Sequence, residues 1–107
     1  MKKENRLRKN HQFQNIITKK QMHVSKYVVL YFKQNNLNTA RIGISVSKKF
    51  ANAVGRNKQR RQVRAILDLL NPFDKSYDIV IIVRKPFIEA DFEVKKNSLK
   101  KLIERLI

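Results

Sequence analysis

The chain has 107 residues, 42% of them hydrophobic, which suits one domain built on one modest core rather than two. Its 25 Lys and Arg against 8 Asp and Glu give a formal net charge of +17, far more than solubility requires; a polyanionic partner is implied, nucleic acid ahead of an anionic membrane surface. With no Cys there are no disulfides or thiolate metal sites, the apolar runs YVVLYF and IVIIV are far too short to span a bilayer, and MKKENRLRKN lacks the apolar stretch of a secretory signal, so a cytoplasmic protein is expected.

The first ten residues are highly charged, and Asn10 stands where it can cap a short amphipathic helix carrying Phe13, Ile16 and Ile17 at i, i+3 and i+4. A basic linker, TKKQMHVSK, follows, with room for a short strand there or near Ser45. KYVVLYFKQ and ARIGISVSK are β-prone runs separated by the polar stretch NNLNT, and an antiparallel hairpin is the simplest expectation. From about Gly55 the period lengthens: Val63, Ile66, Leu67 and Leu70 form a helical stripe that Asn71-Pro72 stops. YDIVIIVRK is a strand so apolar at its centre that both faces should be covered, and Lys85-Pro86 ends it. Asp91 then caps a last helix with Leu99, Leu102, Ile103 and Leu106 on one side. The order is helix, strand, strand, helix, strand, helix, an α+β or α/β sandwich around one small sheet.

Charge is distributed unevenly along this frame. No carboxylate occurs from Asn5 through Leu67, and within that stretch GRNKQRRQVR, residues 55–64, carries five positive charges. A solvated helix face would normally interleave acids at i,i+4, and here only an Arg64 to Asp68 pair is available. Asn57, Arg60, Arg61 and Arg64 fall at i, i+3, i+4 and i+7, beside or opposite the apolar stripe. Guanidinium forks in such a row suit phosphate oxygens.

A protein active site is not legible. His11 and His23 lie at no metal-ligand spacing and read as surface or RNA-facing residues. Ser45, Ser47, Lys48 and Lys49 have neither a Gly-rich loop nor a base beside them, and suit a sheet-edge contact to RNA backbone. Asp74, Asp78, Glu89, Asp91 and Glu93 read as turn and capping residues rather than a two-metal cluster. In KYVVLYFKQ, Tyr27, Val29 and Tyr31 alternate with Val28, Leu30 and Phe32, so one set can serve the core and the other a ligand. A DNA-binding helix-turn-helix does not fit, because strands flank the basic helix.

The segment from Ala53 to Arg64, entered through SVSKKFANAV, resembles the Arg-Asn-Arg signature of the bacterial ribonuclease P protein component. The similarity extends to RLRKNHQFQ, KYVVLYF, IVIIVRKP and NSLKKLIERL, essentially the whole chain. Relative to the commonest pattern, Lys58 and Arg60 exchange Arg and Lys, Gly55 precedes the motif, and Gln59 replaces an apolar residue.

The resemblance implies an α+β sandwich of the ribosomal-protein type, a small mixed sheet with helices and a left-handed βαβ crossover. It implies a subunit of an endoribonuclease whose catalytic site is on RNA, with magnesium held mainly by that RNA. Arg56, Asn57, Lys58, Arg60, Arg61 and Arg64 would bind the catalytic RNA. Phe13, Val29 and Tyr31, with Arg8, Lys9, Lys33 and Lys48, would receive the 5′ leader of precursor tRNA in a cleft between the first helix and the sheet. The protein would be monomeric, one per RNA subunit. A general RNA-binding or ribosome-associated protein without a processing role is the alternative expectation.

Overall fold

The computed structural model describes residues 1–7 and 9–106; Arg8, one of the expected leader contacts, lies outside the described residues. After a 3-10 turn at Lys3–Asn5 come α1 (Asn10–Thr18), β1 (Met22–Val24), β2 (Val28–Gln34), β3 (Arg41–Val46), α2 (Ala53–Leu70), β4 (Tyr77–Val83), α3 (Lys85–Glu89) and α4 (Phe92–Glu104). The basic linker thus holds the extra strand. Asn10 is the first residue of α1 rather than its cap, and the Gln12 side chain accepts from the Lys9 backbone N–H at 3.4 Å.

The strands form one mixed sheet in the order β1-β2-β4-β3. The expected hairpin between β2 and β3 does not form: β4 lies between them, antiparallel to β2 and parallel to β3. The most apolar strand takes a central place because only there can both its edges be paired and both its faces covered. The β3–α2–β4 connection is therefore a parallel crossover, with α2 packed against β3.

Alternation along each strand sorts the side chains into two cores. Val28 and Leu30, Ile42 and Val46, and Ile79, Ile81 and Val83 share one face with Val63, Ile66 and Leu67 of α2, Phe87 of α3, and Leu99, Leu102 and Ile103 of α4. On the opposite face Leu7, Ile16 and Val80 form a smaller cluster flanked by Phe13, Ile17, Tyr31 and Ile82, beneath α1. Leu7 reaches it because its N–H donates to Ile42 O at 3.0 Å, extending the sheet edge.

Gly43 is the close-approach point of that second layer. A Cβ there would strike Cζ of Phe13 and lie 2.8 Å from both ring Cε atoms, so the missing side chain is what lets the ring rest on the strand.

The loop between β2 and β3 steps over the start of β4 and is fastened there by one carboxylate. Asp78 accepts from Arg41 Nε at 2.8 Å and Nη2 at 2.6 Å, and from Asn35 Nδ2 at 3.0 Å. Asn35 Nδ2 also donates to Thr39 O at 2.9 Å, closing the loop on itself, with Asn36 and Asn38 in the left-handed region at φ 59° and 57°. Asp78 is therefore a buried strand residue and not the turn or capping residue expected from its sequence. Asp91 does occupy the N-cap position of α4, although its side chain makes no capping bond. The five-residue α3, too short to show a helical period in sequence, starts at Lys85-Pro86, where proline's fixed φ suits a first helical turn.

Burial works to raise the Asp78 pKa, but the hydrogen bonds from Arg41 and Asn35 and the nearby charges outweigh it and hold the carboxyl below its ordinary value of 3.8. Because the folded-state pKa is depressed, the stabilisation is present above 3.8 and is lost as pH falls through the lower folded value. Asp78→Asn should lose about 2 to 3 kcal/mol near neutral pH and unfold with a weaker pH dependence below the aspartate range, measured by urea denaturation. Gly43→Ala should cost about 1 to 3 kcal/mol through overpacking. Adding Phe13→Ala should make the second substitution cost less than it does in the unsubstituted protein, as a double-mutant cycle will register.

Candidate nucleic-acid interface

The basic helix begins two residues before Gly55, where Asn52 Oδ1 accepts from the Gly55 N–H at 2.8 Å and satisfies one of the free donors of the first turn. Val63, Ile66 and Leu67 bury against the sheet, which turns the charged residues outward. Asn57, Lys58 and Arg61 are exposed, and Arg56, Arg60 and Arg64 are half-buried along the margin of the packed side. Arg56 Nη1 is tied back to Ala51 O at 3.0 Å, and Arg60 Nη1 to Asn57 Oδ1 at 3.0 Å, so the Arg-Asn spacing orders the guanidinium of Arg60 within the helix itself.

Arg64 is the most telling member of the row. Its Nε is buried and has no hydrogen-bond acceptor among the described residues. The one available pairing, with Asp68, does not form, and Asp68 Oδ1 instead accepts from the amino group of Met1 at 2.6 Å. Burial pushes the Arg64 pKa below its ordinary value, and the positive charges of Arg6 and Arg60 push it further the same way. Arg6, contributed by the N-terminal segment that bridges Ile42, carries no signal in the sequence, because nothing there places it beside α2. None of these three guanidinium groups forms an ion pair among the described residues.

Gln59, the departure from the commonest motif, is buried against α4. Its Oε1 accepts from Lys95 Nζ at 3.1 Å, Gln62 Oε1 accepts from the same ammonium, and the Phe87 ring centroid is 5.1 Å away. Lys95 is buried and forms no ion pair among the described residues; desolvation, followed by the charge of Lys58, lowers its pKa against the weaker opposing pull of Asp91. A polar residue at position 59 is thereby accounted for: it satisfies a buried cation that an apolar side chain would leave unbonded.

The second surface lies on the sheet face beneath α1. The ladder register aligns Val24, Val29, Ile82 and Ser45 in one row across the four strands, and Met22, Tyr31, Val80 and Gly43 in the next. α1 covers the second row, with Phe13 over Gly43 and Tyr31 at the edge of the small cluster. Val29, Ile82 and Ser45 in the first row remain half-exposed. Phe13, Val29 and Tyr31 are therefore neighbours on one face. Their basic companions are spread out: Lys9 precedes α1, Lys48 follows the end of β3 beyond Ser45, and Lys33 lies toward the other end of the sheet, opposite Asp78. Ser45 is on edge strand β3, as a sheet-edge contact requires. His23 is not simply a surface residue, since its ring stacks on Phe32 with centroids 4.9 Å apart.

Among the described residues only Arg41 and Lys96 form side-chain ion pairs with carboxylates, Lys96 with Glu93 at 3.8 Å. The charge is left available for an external partner. The described residues contain no group of three or more His, Asp or Glu arranged to hold a metal ion, and no helix among them is long and apolar enough to cross a membrane.

The family model for Ribonuclease P matches residues 1–107. The chain is similar to the ribonuclease P protein component of Mycoplasmopsis pulmonis, 46% identical over 106 residues that cover 98% of this chain and 94% of the relative. It is 42% identical to that of Mycoplasma mobile over 106 residues, covering 99% and 93% of the two chains. Its fold matches the solved Staphylococcus aureus RNase P protein with a TM-score of 0.86 at 33% identity, over 95% of this chain and 94% of the other. An acid-free arginine row on α2, set on this mixed sheet and matched along its whole length, is that of a protein belonging to the ribonuclease P protein component family.

Proposed function

We propose that the chain works in tRNA processing as the protein subunit of ribonuclease P, with α2 docked on the catalytic RNA and the α1–sheet face holding the 5′ leader of precursor tRNA. The observation that carries the first contact is the row of basic side chains on α2 that no carboxylate pairs among the described residues, Arg64 included, whose charge is felt together with those of Arg6 and Arg60. Arg56, Asn57, Lys58 and Arg61 extend the same contact along the helix. The half-exposed row through Val29, with Phe13 and Tyr31 beside it, supports the second: apolar and aromatic groups bind unpaired bases with little sequence preference, as a leader of variable sequence needs. Lys9 and Lys48, both exposed, flank that face, and Lys33 provides charge farther along β2.

Phosphodiester hydrolysis belongs to the RNA. The scarce acids of this chain are dispersed, and Asp78, the one buried carboxylate among the described residues, is fully engaged by Arg41 and Asn35. Magnesium is assigned to the RNA, and the protein's part is to neutralise backbone charge so that RNA and substrate approach. We assign the protein to the cytoplasm as one monomer per RNA subunit. The general RNA-binding alternative shares the charge but predicts no preference for precursor over mature tRNA.

Replacing Arg60, Arg61 and Arg64 together by Ala should weaken assembly with the catalytic RNA at least about tenfold and lower the slope of log affinity against log salt by about one for each phosphate no longer neutralised. Unchanged affinity and slope in a filter-binding titration would remove α2 from the interface. Phe13→Ala or Tyr31→Ala should reduce holoenzyme affinity about fivefold or more for a precursor with a leader of several nucleotides while sparing leaderless tRNA. Equal losses for both ligands would instead mark a folding defect or a leader bound elsewhere.

A further inference from the structure

At the β1 edge of the sheet, on the side where α4 packs, a cavity of about 350 Å³ opens between the β1–β2 turn and α4. Val24 and Tyr27 form its wall on the sheet side, and Val94 and Leu102 the wall on α4. Lys26, Lys101 and Arg105 bring positive charge to a lining that also holds Ser25, Asn97 and Ser98 and includes no carboxylate. Lys101 and Arg105 are four residues apart at the end of α4 and so stand on the same side of the chain. Neither forms an ion pair among the described residues. Lys26 holds its ammonium 5.7 Å from the Tyr27 ring centroid, bringing a third positive charge to the aromatic wall.

Of the polar groups in the wall, which also include the Tyr27 hydroxyl and the Asn97 amide, the two serine hydroxyls are used internally. Ser25 Oγ donates to Val28 O at 3.0 Å and Ser98 Oγ to Lys95 O at 2.8 Å. What the cavity offers a ligand is therefore apolar surface, one aromatic ring with its hydroxyl, the Asn97 amide and cations. Val24 and Val94 remain 54% and 37% exposed at its mouth, an apolar opening that water fills poorly. A bare phosphate would leave the apolar walls unused, and a purely apolar ligand would desolvate the cations without compensation. A base joined to a phosphate uses both, and the volume is of the size that admits a single small-molecule unit.

The position of the cavity adds a second reason. Val24 pairs with Val29, and Ile82 and Ser45 continue that row, so the cavity begins where the half-exposed row runs out at the β1 edge. A strand lying across the sheet along this row would reach Val24 after about 15 Å and would turn over the β1 edge to enter the cavity on the α4 side.

We infer that this cavity is a nucleotide subsite that takes one unpaired nucleotide of RNA, its base against Tyr27, Val24 and Val94 and its phosphate held by Lys101 and Arg105. This rests on the reading of the chain as the RNA-binding subunit of ribonuclease P. The nucleotide can come from a distal part of the leader or from an unpaired segment of the catalytic RNA.

The test uses the full protein assembled with catalytic RNA, together with precursors carrying a long or a short leader. Tyr27→Leu removes the ring but keeps apolar bulk, and Lys101→Glu with Arg105→Glu reverses the charge; each should reduce binding about fivefold or more. Loss confined to the long-leader precursor supports the subsite with the leader as its source, and loss of assembly irrespective of leader supports it with the catalytic RNA as its source. Unchanged binding by both variants overturns it. So does loss with the charge reversal alone, which would be the general field of a basic surface. Arg60→Ala with Arg61→Ala, measured in parallel, separates the two levels: weakened assembly there with unaffected subsite variants rejects the subsite only, and no effect of any variant rejects the RNA-subunit reading as well.

Discussion

A chain with 25 basic and 8 acidic side chains cannot neutralise itself, and the structure is arranged around that shortage. The carboxylate it buries, Asp78, is committed to Arg41 and Asn35, where it fixes the loop that carries the chain over β4. That clamp adds the charged contact to a path otherwise held by neutral hydrogen bonds, among them Ala40 N–H to Phe73 O at 3.0 Å and Asn5 Nδ2 to Ala40 O at 2.7 Å. The other acids leave the basic helix alone, and Asp68, the nearest candidate in sequence, is taken by the Met1 amino group. The fold stabilises itself by hydrophobic burial on two faces of one sheet and leaves its charge for a partner.

This division gives the molecule two separate working surfaces. On one side of the sheet α2 is packed through Val63, Ile66 and Leu67, which turns its basic side chains to the margin and the outside. The buried Lys95 and its two glutamine acceptors join α2 to α4 by polar contacts as well as apolar ones. On the other side, α1 covers only part of the sheet, because Gly43 draws Phe13 down onto one row and leaves the neighbouring row half-open. The basic helix and the half-exposed apolar face are thus kept apart and share no side chains.

Much of this is legible in the sequence wherever the deciding forces are local. The apolar stripe of α2, its Asn71-Pro72 stop and the buried character of β4 all follow from periodicity and composition, and the Arg-Asn spacing carries the family. Pairing of strands is not legible: NNLNT looks like a hairpin turn, and only the competition among three strands for the central place rejects that hairpin. Arg6 and Leu7 gain their roles from a sheet-edge bridge across more than thirty residues of sequence, which no local pattern announces. Gln59 looks like a weak point of the first helical turn, and its reason lies in Lys95, 36 residues away. The face that brings Phe13, Val29 and Tyr31 together is the expected one, whereas the placement of Lys33 beside Asp78 depends on a register that only the folded sheet supplies.

The most direct test of the central claim is cleavage of a precursor tRNA at low magnesium by the catalytic RNA, with and without this protein, beside a protein-only control. The account predicts that the protein stimulates cleavage by the RNA and is inert alone, since its contribution is charge neutralisation and substrate grip. Cleavage by the protein alone, or no stimulation in the mixture, would contradict it.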